Sequence, residues 1–111
     1  MQHADVLAKK EFTEGSVNKV TYLKTGAIAQ DTYYFKPGQV LDYHRHPDGD
    51  QIFFVQEGEG ACFVDDGKEE SIALKPGVVF LAPKGVWHKV VAKTSLIVSQ
   101  ATCQPAGMEK R

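Results

Sequence analysis

The sequence predicts an all-β protein, a sandwich or barrel of short strands. Turn signals built from Gly, Pro and Asp recur along the chain, from Glu14-Gly15 to Pro83-Lys-Gly85. The segments between them are rich in Val, Ile, Tyr, Phe and Thr, which suit a pleated, half-buried surface. Beyond the first dozen residues no segment sustains a helical period, and that one is only weakly amphipathic. A closed arrangement is favoured because closure removes exposed strand edges.

Six segments of this kind are predicted to be strands. In chain order they are Asp31–Lys36, Gln51–Gln56, Ala61–Val64, Val78–Ala82, Trp87–Ala92 and Ser95–Ala101. Asp65-Asp-Gly67 lies between Cys62–Val64 and Glu69–Ile72 and is predicted to be the turn of a β-hairpin. The even spread of Gly and Pro leaves no linker, so residues 1–111 are predicted to form one domain.

Composition excludes several classes of function. The formal net charge of -1 gives no basic surface for nucleic acid. The longest apolar run, Gly77–Ala82, is far shorter than a membrane span, and the first residues do not have the pattern of a secretory signal. We therefore expect a cytoplasmic protein in which Cys62 and Cys103 remain thiols, with Cys62 more a small core residue than an extra metal ligand.

Three of the four histidines form the most informative pattern. His44 and His46 are two residues apart, and alternate residues of a strand face the same side. Two imidazoles on one face form half of a metal site without bending the backbone. The alternative for such a pair alone is two surface histidines at a strand end. For His88, beside Trp87, the alternative is a hydrogen-bonded core histidine.

The spacing around these histidines is specific. The first block reads Gly38-x5-His44-x-His46-x4-Gln51-x6-Gly58, and the second reads Gly77-x5-Pro83-x-Gly85-x2-His88. These blocks, at about 38–58 and 77–92, resemble the two signature motifs of the cupin superfamily. The resemblance implies a double-stranded β-helix, or jelly-roll barrel. It also implies that four side chains converge on one divalent transition metal ion (Zn, Fe, Mn or Ni): His44, His46, Gln51 and His88.

The chain departs from the family pattern at two positions. Gln51 stands where the motif has Glu, and Ala92 stands where the second motif usually has Asn. Gln ligates only through its neutral carbonyl oxygen, so the site is about one charge more positive and should favour an anionic ligand. An amide also cannot be a general base. Alternatively, Gln51 only hydrogen-bonds a metal-bound water. The His-x-His-x4-Gln arrangement resembles the small cupins of uronate degradation.

Strand alternation predicts which side chains form the pocket. Those expected to face inward as a partly aromatic wall, with plain core as the alternative, are Tyr33, Phe35, Phe53 and Val90. On the first of these strands, Thr32, Tyr34 and Lys36 are expected to face out. Inward acidic and basic residues are hard to find, so the catalytic residues are left unassigned. Asp42 shares the parity of His44 and is the best protonic candidate, although a solvated carboxylate is the simpler interpretation.

The leading functional prediction is a metal-dependent enzyme acting on a small, oxygen-rich, anionic molecule by isomerase, lyase or dioxygenase chemistry. The alternative is a non-catalytic module that binds or senses a small molecule. A metal-free structural remnant is disfavoured by the three histidines. The family resemblance also implies a homodimer formed through sheet edges, with residues 1–30 available to cross over. Residues 104–108 are expected to cover the barrel mouth or to contact a partner.

Overall fold

The computed structural model describes residues 1–111 and contains ten strands and one short helix. In chain order the elements are α1 (Val6–Lys9), β1 (Asn18–Lys24), β2 (Ile28–Phe35), β3 (Val40–Arg45), β4 (Gln51–Glu57), β5 (Gly60–Asp65), β6 (Glu69–Leu74), β7 (Val79–Ala82), β8 (Trp87–Ala92), β9 (Leu96–Cys103) and β10 (Glu109–Lys110). All six predicted strands are present with bounds shifted by up to three residues. No helix of the chain has the length and apolarity needed to cross a membrane.

The strands form two five-stranded sheets in which every neighbouring pair is antiparallel. One sheet has the order β1-β2-β9-β4-β7, and the other has the order β10-β3-β8-β5-β6. Neighbours in each sheet are mostly distant in sequence, as a jelly roll requires. The predicted all-β, double-stranded β-helix fold is confirmed, and so is the β5–β6 hairpin, in which Asp65 pairs with Glu69.

The core lies between the two sheets. Eleven buried residues contact one another there, including Phe35, Phe53, Leu96 and Val98. Phe53 stacks on Phe80 with ring centroids 4.6 Å apart, which extends this core to the edge strand β7. Phe35 of β2, Phe53 of β4, and Leu96 and Val98 of β9 face this core, because alternate residues of a strand point to the same side.

Strand β2 is buried on both faces, which corrects one expectation. Thr32 and Tyr34 were expected to face out, yet both are completely buried. The Tyr34 hydroxyl donates to the Val6 carbonyl oxygen at 2.8 Å, and its ring meets Phe12 edge-on. Residues before β1 therefore cover the outer face of β2. Single-strand alternation assigns faces, but it cannot tell which outer face another segment will cover.

A β-bulge interrupts strand β3. Leu41 lies opposite Val90 of β8, whereas His44 lies opposite His88. An advance of three residues along β3 therefore corresponds to only two residues along β8. Leu41 therefore packs against the core, and Asp42 does not share the facing of His44 in the way strict alternation predicts. The Asp42 side chain is exposed. Because of this bulge, the parity that Asp42 shares with His44 does not by itself determine which way the Asp42 side chain faces.

Candidate metal centre

Strands β3 and β8 bring three histidines together at one end of the barrel. His44 and His88 are direct cross-strand partners, with ring centroids 4.2 Å apart. His46 follows the last residue of β3, and its ring centroid lies 5.3 Å from that of His44 and 5.9 Å from that of His88. One nitrogen of each ring lies within 4.8 Å of the others. The three histidines can hold a metal ion.

A backbone carbonyl fixes the tautomer of each histidine. Nδ1 lies 2.9 Å from the Asp42 carbonyl oxygen in His44, 2.6 Å from that of Gly107 in His46, and 3.2 Å from that of Val86 in His88. A carbonyl oxygen only accepts, so each Nδ1 carries the hydrogen and donates it. Each Nε2 then keeps a free lone pair, which is the arrangement of histidine metal ligands.

Burial keeps these imidazoles neutral. Burial, together with the neighbouring His44, lowers the pKa of His88 to about 3. Burial also lowers the pKa of His44 and of His46, although the Asp42 and Gly107 carbonyl acceptors oppose the shift. Neutral imidazole is the form that binds a metal, so at neutral pH no proton has to leave before a cation enters.

Gln51, the first residue of β4, is buried on the inner face of the other sheet. Its Nε2 donates to Gln100 Oε1 at 2.9 Å and to Thr102 Oγ1 at 3.1 Å, both on β9. Its Oε1 is buried and has no hydrogen-bond partner. His46 Nε2 and His88 Nε2 are also buried without partners. Unpaired buried polar atoms are costly in a folded protein. These three atoms are therefore suited to be ligands of a metal ion.

A cavity of about 430 Å³ opens beside the histidines. His44, His46, Tyr33 and Leu41 line it, together with side chains that carry charge: Lys19, Asp42, Lys110 and Arg111. Met108 also lines it, so the segment after β9 forms part of the wall. A cavity of this size fits a small molecule.

The five predicted pocket residues divide into two groups. Tyr33, which also belongs to the hydrophobic core, and Asp42 line the cavity. Phe35, Phe53 and Val90 belong to the hydrophobic core and do not line the cavity. Phe53 nevertheless meets the His88 ring edge-on at 5.7 Å and packs directly behind that histidine.

Tyr33 is a protonic group that sequence reasoning treated only as a wall. Burial raises the pKa of its hydroxyl, and the charge of Asp31 raises that pKa further, while a hydrogen bond with Gln100 opposes the shift. The phenol is therefore protonated at neutral pH and can donate a hydrogen bond to a ligand in the cavity. Asp42 is less suited to proton transfer, because its carboxylate accepts from the Tyr43 amide at 2.7 Å.

Sequence reasoning also missed an inward acid and an inward base. Asp31 on β2 is only 4% exposed, and Lys19 on β1 lines the cavity. Asp31 has the same parity as Tyr33 and could have been found by that signal. Lys19 is the register partner of Tyr33, but no sequence pattern predicted strand β1.

The thiol of Cys62 lies in the core, where burial raises its pKa to about 12. Both cysteines are free.

The chain belongs to the cupin family. A cupin-domain family model matches residues 32–99, which include every strand from β3 to β8. The match contains His44, His46, Gln51 and His88. The family resemblance seen in the two sequence motifs is thereby confirmed.

Two curated relatives are similar in sequence. The uncharacterized protein YdbB of Bacillus subtilis is 42% identical over 48 residues, which are 43% of this chain and 41% of that protein. The germin-like protein subfamily 1 member 5 of Arabidopsis thaliana is 36% identical over 99 residues, 83% of this chain and 45% of that protein. The chain thus spans less than half the length of these relatives.

Three solved structures illustrate the likeness in fold. An RmlC-like cupin from Desulfovibrio desulfuricans has a TM-score of 0.83 and 26% identity, covering 93% of this chain and 96% of its own. KdgF from Halomonas sp. has a TM-score of 0.72 and 24% identity, covering 84% and 83%. An oxalate oxidase in complex with glycolate has a TM-score of 0.76 and 22% identity, covering 88% and 56%. The last two show the fold alone.

Proposed function

We propose that the protein is a metal-dependent enzyme acting on a small, oxygen-rich, anionic molecule. The observation that carries this proposal is a set of three histidines in which one nitrogen of each ring lies within 4.8 Å of the others and each Nδ1 is bonded to a backbone carbonyl. A divalent transition metal ion held there would supply Lewis acidity toward two adjacent substrate oxygens, for isomerase, lyase or dioxygenase chemistry. Zinc, iron and nickel suit imidazole ligands, whereas manganese prefers oxygen ligands such as the Gln51 carbonyl.

Gln51 is the proposed fourth ligand, through Oε1. Both hydrogens of its amide nitrogen are already donated, and Oε1 alone has no partner. Three imidazoles and an amide bring no negative charge to the ion. The full double charge of a divalent cation is then left for the substrate to neutralise, which favours an anion.

The charges around the cavity favour the same class of substrate. Lys19 and Lys110 contribute two cations to its wall, against the single carboxylate of Asp42, and Arg111 adds a guanidinium that is paired with Asp65 at 2.8 Å. Tyr33 adds a protonated phenol that can donate a hydrogen bond. These groups bind and orient an oxygen-rich anion, whereas an apolar or cationic molecule would leave them desolvated and unpaired.

A non-catalytic binding or sensor module is the second candidate. It is favoured by the scarcity of proton acceptors at the cavity, where the only carboxylate is exposed and accepts from a backbone amide. Ligand that binds the metal-loaded protein and is recovered unchanged, including in the presence of oxygen, would establish this second function.

The test begins with the metal content of untagged protein purified without chelators. We expect about one ion per chain in the wild type, none in His44→Ala, and at least tenfold weaker binding in Gln51→Ala. Phe54→Ala, an exposed position on β4, is the matched control that should keep the ion. Full occupancy in His44→Ala would overturn the site, and unchanged affinity in Gln51→Ala would remove that residue from the ligand set.

The second step tests the substrate class with two small anions. Glycolate presents a carboxylate and an adjacent hydroxyl, whereas acetate presents the carboxylate alone. We expect the zinc-loaded protein to bind glycolate at least tenfold more tightly than acetate, measured by calorimetry. Equal affinity for the two anions would contradict the proposed use of two adjacent oxygens.

A further inference from the structure

Asp31 is a buried carboxylate with no cationic partner. It is 4% exposed, and none of the ion pairs in the structure includes it. Its Oδ2 accepts from Gln100 Nε2 at 2.9 Å, and its Oδ1 accepts from the Thr21 hydroxyl. Burying a charge without a counter-ion is expensive, so a carboxylate at this position calls for an explanation.

Asp31 begins a row of hydrogen bonds that has a direction. A carboxylate only accepts, so Gln100 must turn its Nε2 toward Asp31. The Oε1 of Gln100 then faces Gln51 and can only accept, which it does from Gln51 Nε2 at 2.9 Å. The second hydrogen of Gln51 Nε2 goes to Thr102 at 3.1 Å. We call Asp31, Gln100 and Gln51 the amide row.

The direction of the amide row determines which atom Gln51 offers. Because the nitrogen is committed to Gln100 and Thr102, the oxygen is the atom left without a partner. Without an acceptor-only group at position 31, both amides could turn over together and keep their mutual hydrogen bond. Gln51 would then present an NH₂ group, which cannot ligate a metal.

We propose that Asp31 and Gln100 are positioning residues that set the direction of the Gln51 amide, and that they favour Gln over Glu at this ligand position. In a Gln51→Glu variant, the introduced carboxylate would meet Gln100 Oε1, acceptor against acceptor. Turning Gln100 to donate to that carboxylate would place its Oε1 against Asp31. This inference rests on the proposed metal centre, and its test separates the two.

The test measures Co²⁺ affinity, by competition with a chromophoric chelator, for a double-mutant cycle at positions 31 and 51. In the wild-type background, Asp31→Asn should weaken Co²⁺ binding about tenfold, because the amide direction is no longer imposed. In the Gln51→Glu background, the same substitution should strengthen binding about tenfold. The introduced asparagine can donate to Gln100 Oε1, and Gln100 can then donate to the introduced glutamate, so the whole row is reversed.

A substitution at a third position, Gln100, distinguishes the amide row from a direct charge effect of Asp31. Gln100→Met keeps the length of the side chain and removes the amide that joins the two ends. If the effect passes through the amide row, Asp31→Asn should no longer change the Co²⁺ affinity in opposite directions with and without Gln51→Glu once Gln100 is replaced by Met. Coupling that persists in Gln100→Met would mean direct repulsion between Asp31 and the carboxylate introduced at position 51, and it would overturn the proposal. Asp48→Asn, which removes an exposed carboxylate that makes no side-chain hydrogen bond, should show no change of sign.

A rescue variant keeps the test decisive if Asp31→Asn alone folds poorly. In Asp31→Asn/Gln100→Glu the carboxylate moves one place along the row, accepts from the introduced asparagine, and still accepts from Gln51 Nε2. The net charge and the direction of Gln51 are both retained, so Co²⁺ affinity should lie within about threefold of the wild type. An affinity as low as that of Asp31→Asn, in a variant that folds, would count against the amide row.

A readout on the metal-free protein is independent of the ion. The side-chain amide resonances of Gln51 and Gln100, seen by ¹⁵N NMR, should be dispersed and slow to exchange in the wild type, and should shift and broaden in Asp31→Asn. Wild-type protein that binds no Co²⁺ would overturn the metal centre and this inference together. Binding without the change of sign would overturn the inference and leave the metal centre in place.

Discussion

At the scale of single residues, the three histidines differ in what holds them. His44 and His88 each donate Nδ1–H to the carbonyl two residues earlier in the sequence, so their tautomers are fixed locally. His46 donates to Gly107, 61 residues away in the sequence. Its orientation therefore depends on the segment after β9, and the metal site is complete only when that segment is in place.

The metal-free protein should become less stable as the pH falls because of these histidines. Burial lowers the pKa of His88 from 6.5 to about 3. Below pH 6.5 the His88 imidazole therefore binds a proton in the unfolded chain but not in the folded protein. The free energy of unfolding should therefore decrease as pH falls through this range, by up to about 1.4 kcal/mol per pH unit for this group. Urea denaturation of chelator-treated protein between about pH 7.5 and 5 measures the slope.

The matched variants for this measurement are His88→Gln and His3→Gln. Removing His88 should make the pH dependence shallower, whereas removing the exposed His3 should leave the slope as it is. A His88→Gln variant with the wild-type slope would show that another group carries the effect.

At the scale of elements, turns and bulges decide where the site residues point. The β3 bulge turns Leu41 into the core and exposes the Asp42 side chain, while the Asp42 carbonyl oxygen still accepts from His44. The turn glycines Gly38, Gly58 and Gly77 all have positive φ. Gly58 has a second requirement, because its Cα lies against the backbone that enters β9.

Gly58→Ala should therefore destabilise the protein strongly. Its φ is +88°, and an added Cβ would lie 1.8 Å from the Ser95 carbonyl oxygen. We expect a loss of at least about 2 kcal/mol in the free energy of unfolding, from backbone strain and from the clash together. Denaturant titration at fixed pH measures it.

Gly67→Ala is the control for the strain alone. Gly67 has a similar φ of +87°, but open space surrounds the position of its Cβ. The expected loss there is about 1 kcal/mol. Equal losses at the two positions would show that the contact with Ser95 contributes nothing.

At the scale of the whole molecule, one sheet presents an apolar face next to its edge. Ile52 pairs with Leu81 and Phe54 pairs with Val79, and each of these four side chains is about half exposed. They form a continuous patch on β4 and β7, and β7 is the edge strand. The opposite edge of this sheet is β1, which pairs with β2 of its own chain.

We propose that the expected homodimer forms through this β4–β7 patch rather than by crossing over of residues 1–30. Phe54→Lys should convert a dimer into a monomer in multi-angle light scattering, because a charge would be buried in an apolar contact. Val40→Lys is the control, since Val40 is equally exposed on the other sheet. A monomeric wild type at high concentration, or a dimeric Phe54→Lys variant, would contradict this proposal.

The sequence by itself determined the all-β class, most strand positions and the spacing that identifies a cupin. Those features are local: turn residues, alternation and motif intervals are properties of adjacent positions. His44 and His46 could be selected for the same reason, and His88 through the second motif. Domain organisation and cellular location stay predictions from sequence.

Only the tertiary structure determined which side chains from distant parts of the sequence lie together at the site. The cavity wall unites Lys19 of β1 with Lys110 and Arg111 at the far end of the chain, and no local pattern connects them. Likewise, Asp31 reaches Gln51 only through Gln100, because β2 and β4 both pair with β9. Strand order and register are set by long-range packing, and so is the direction of the amide that faces the proposed metal centre.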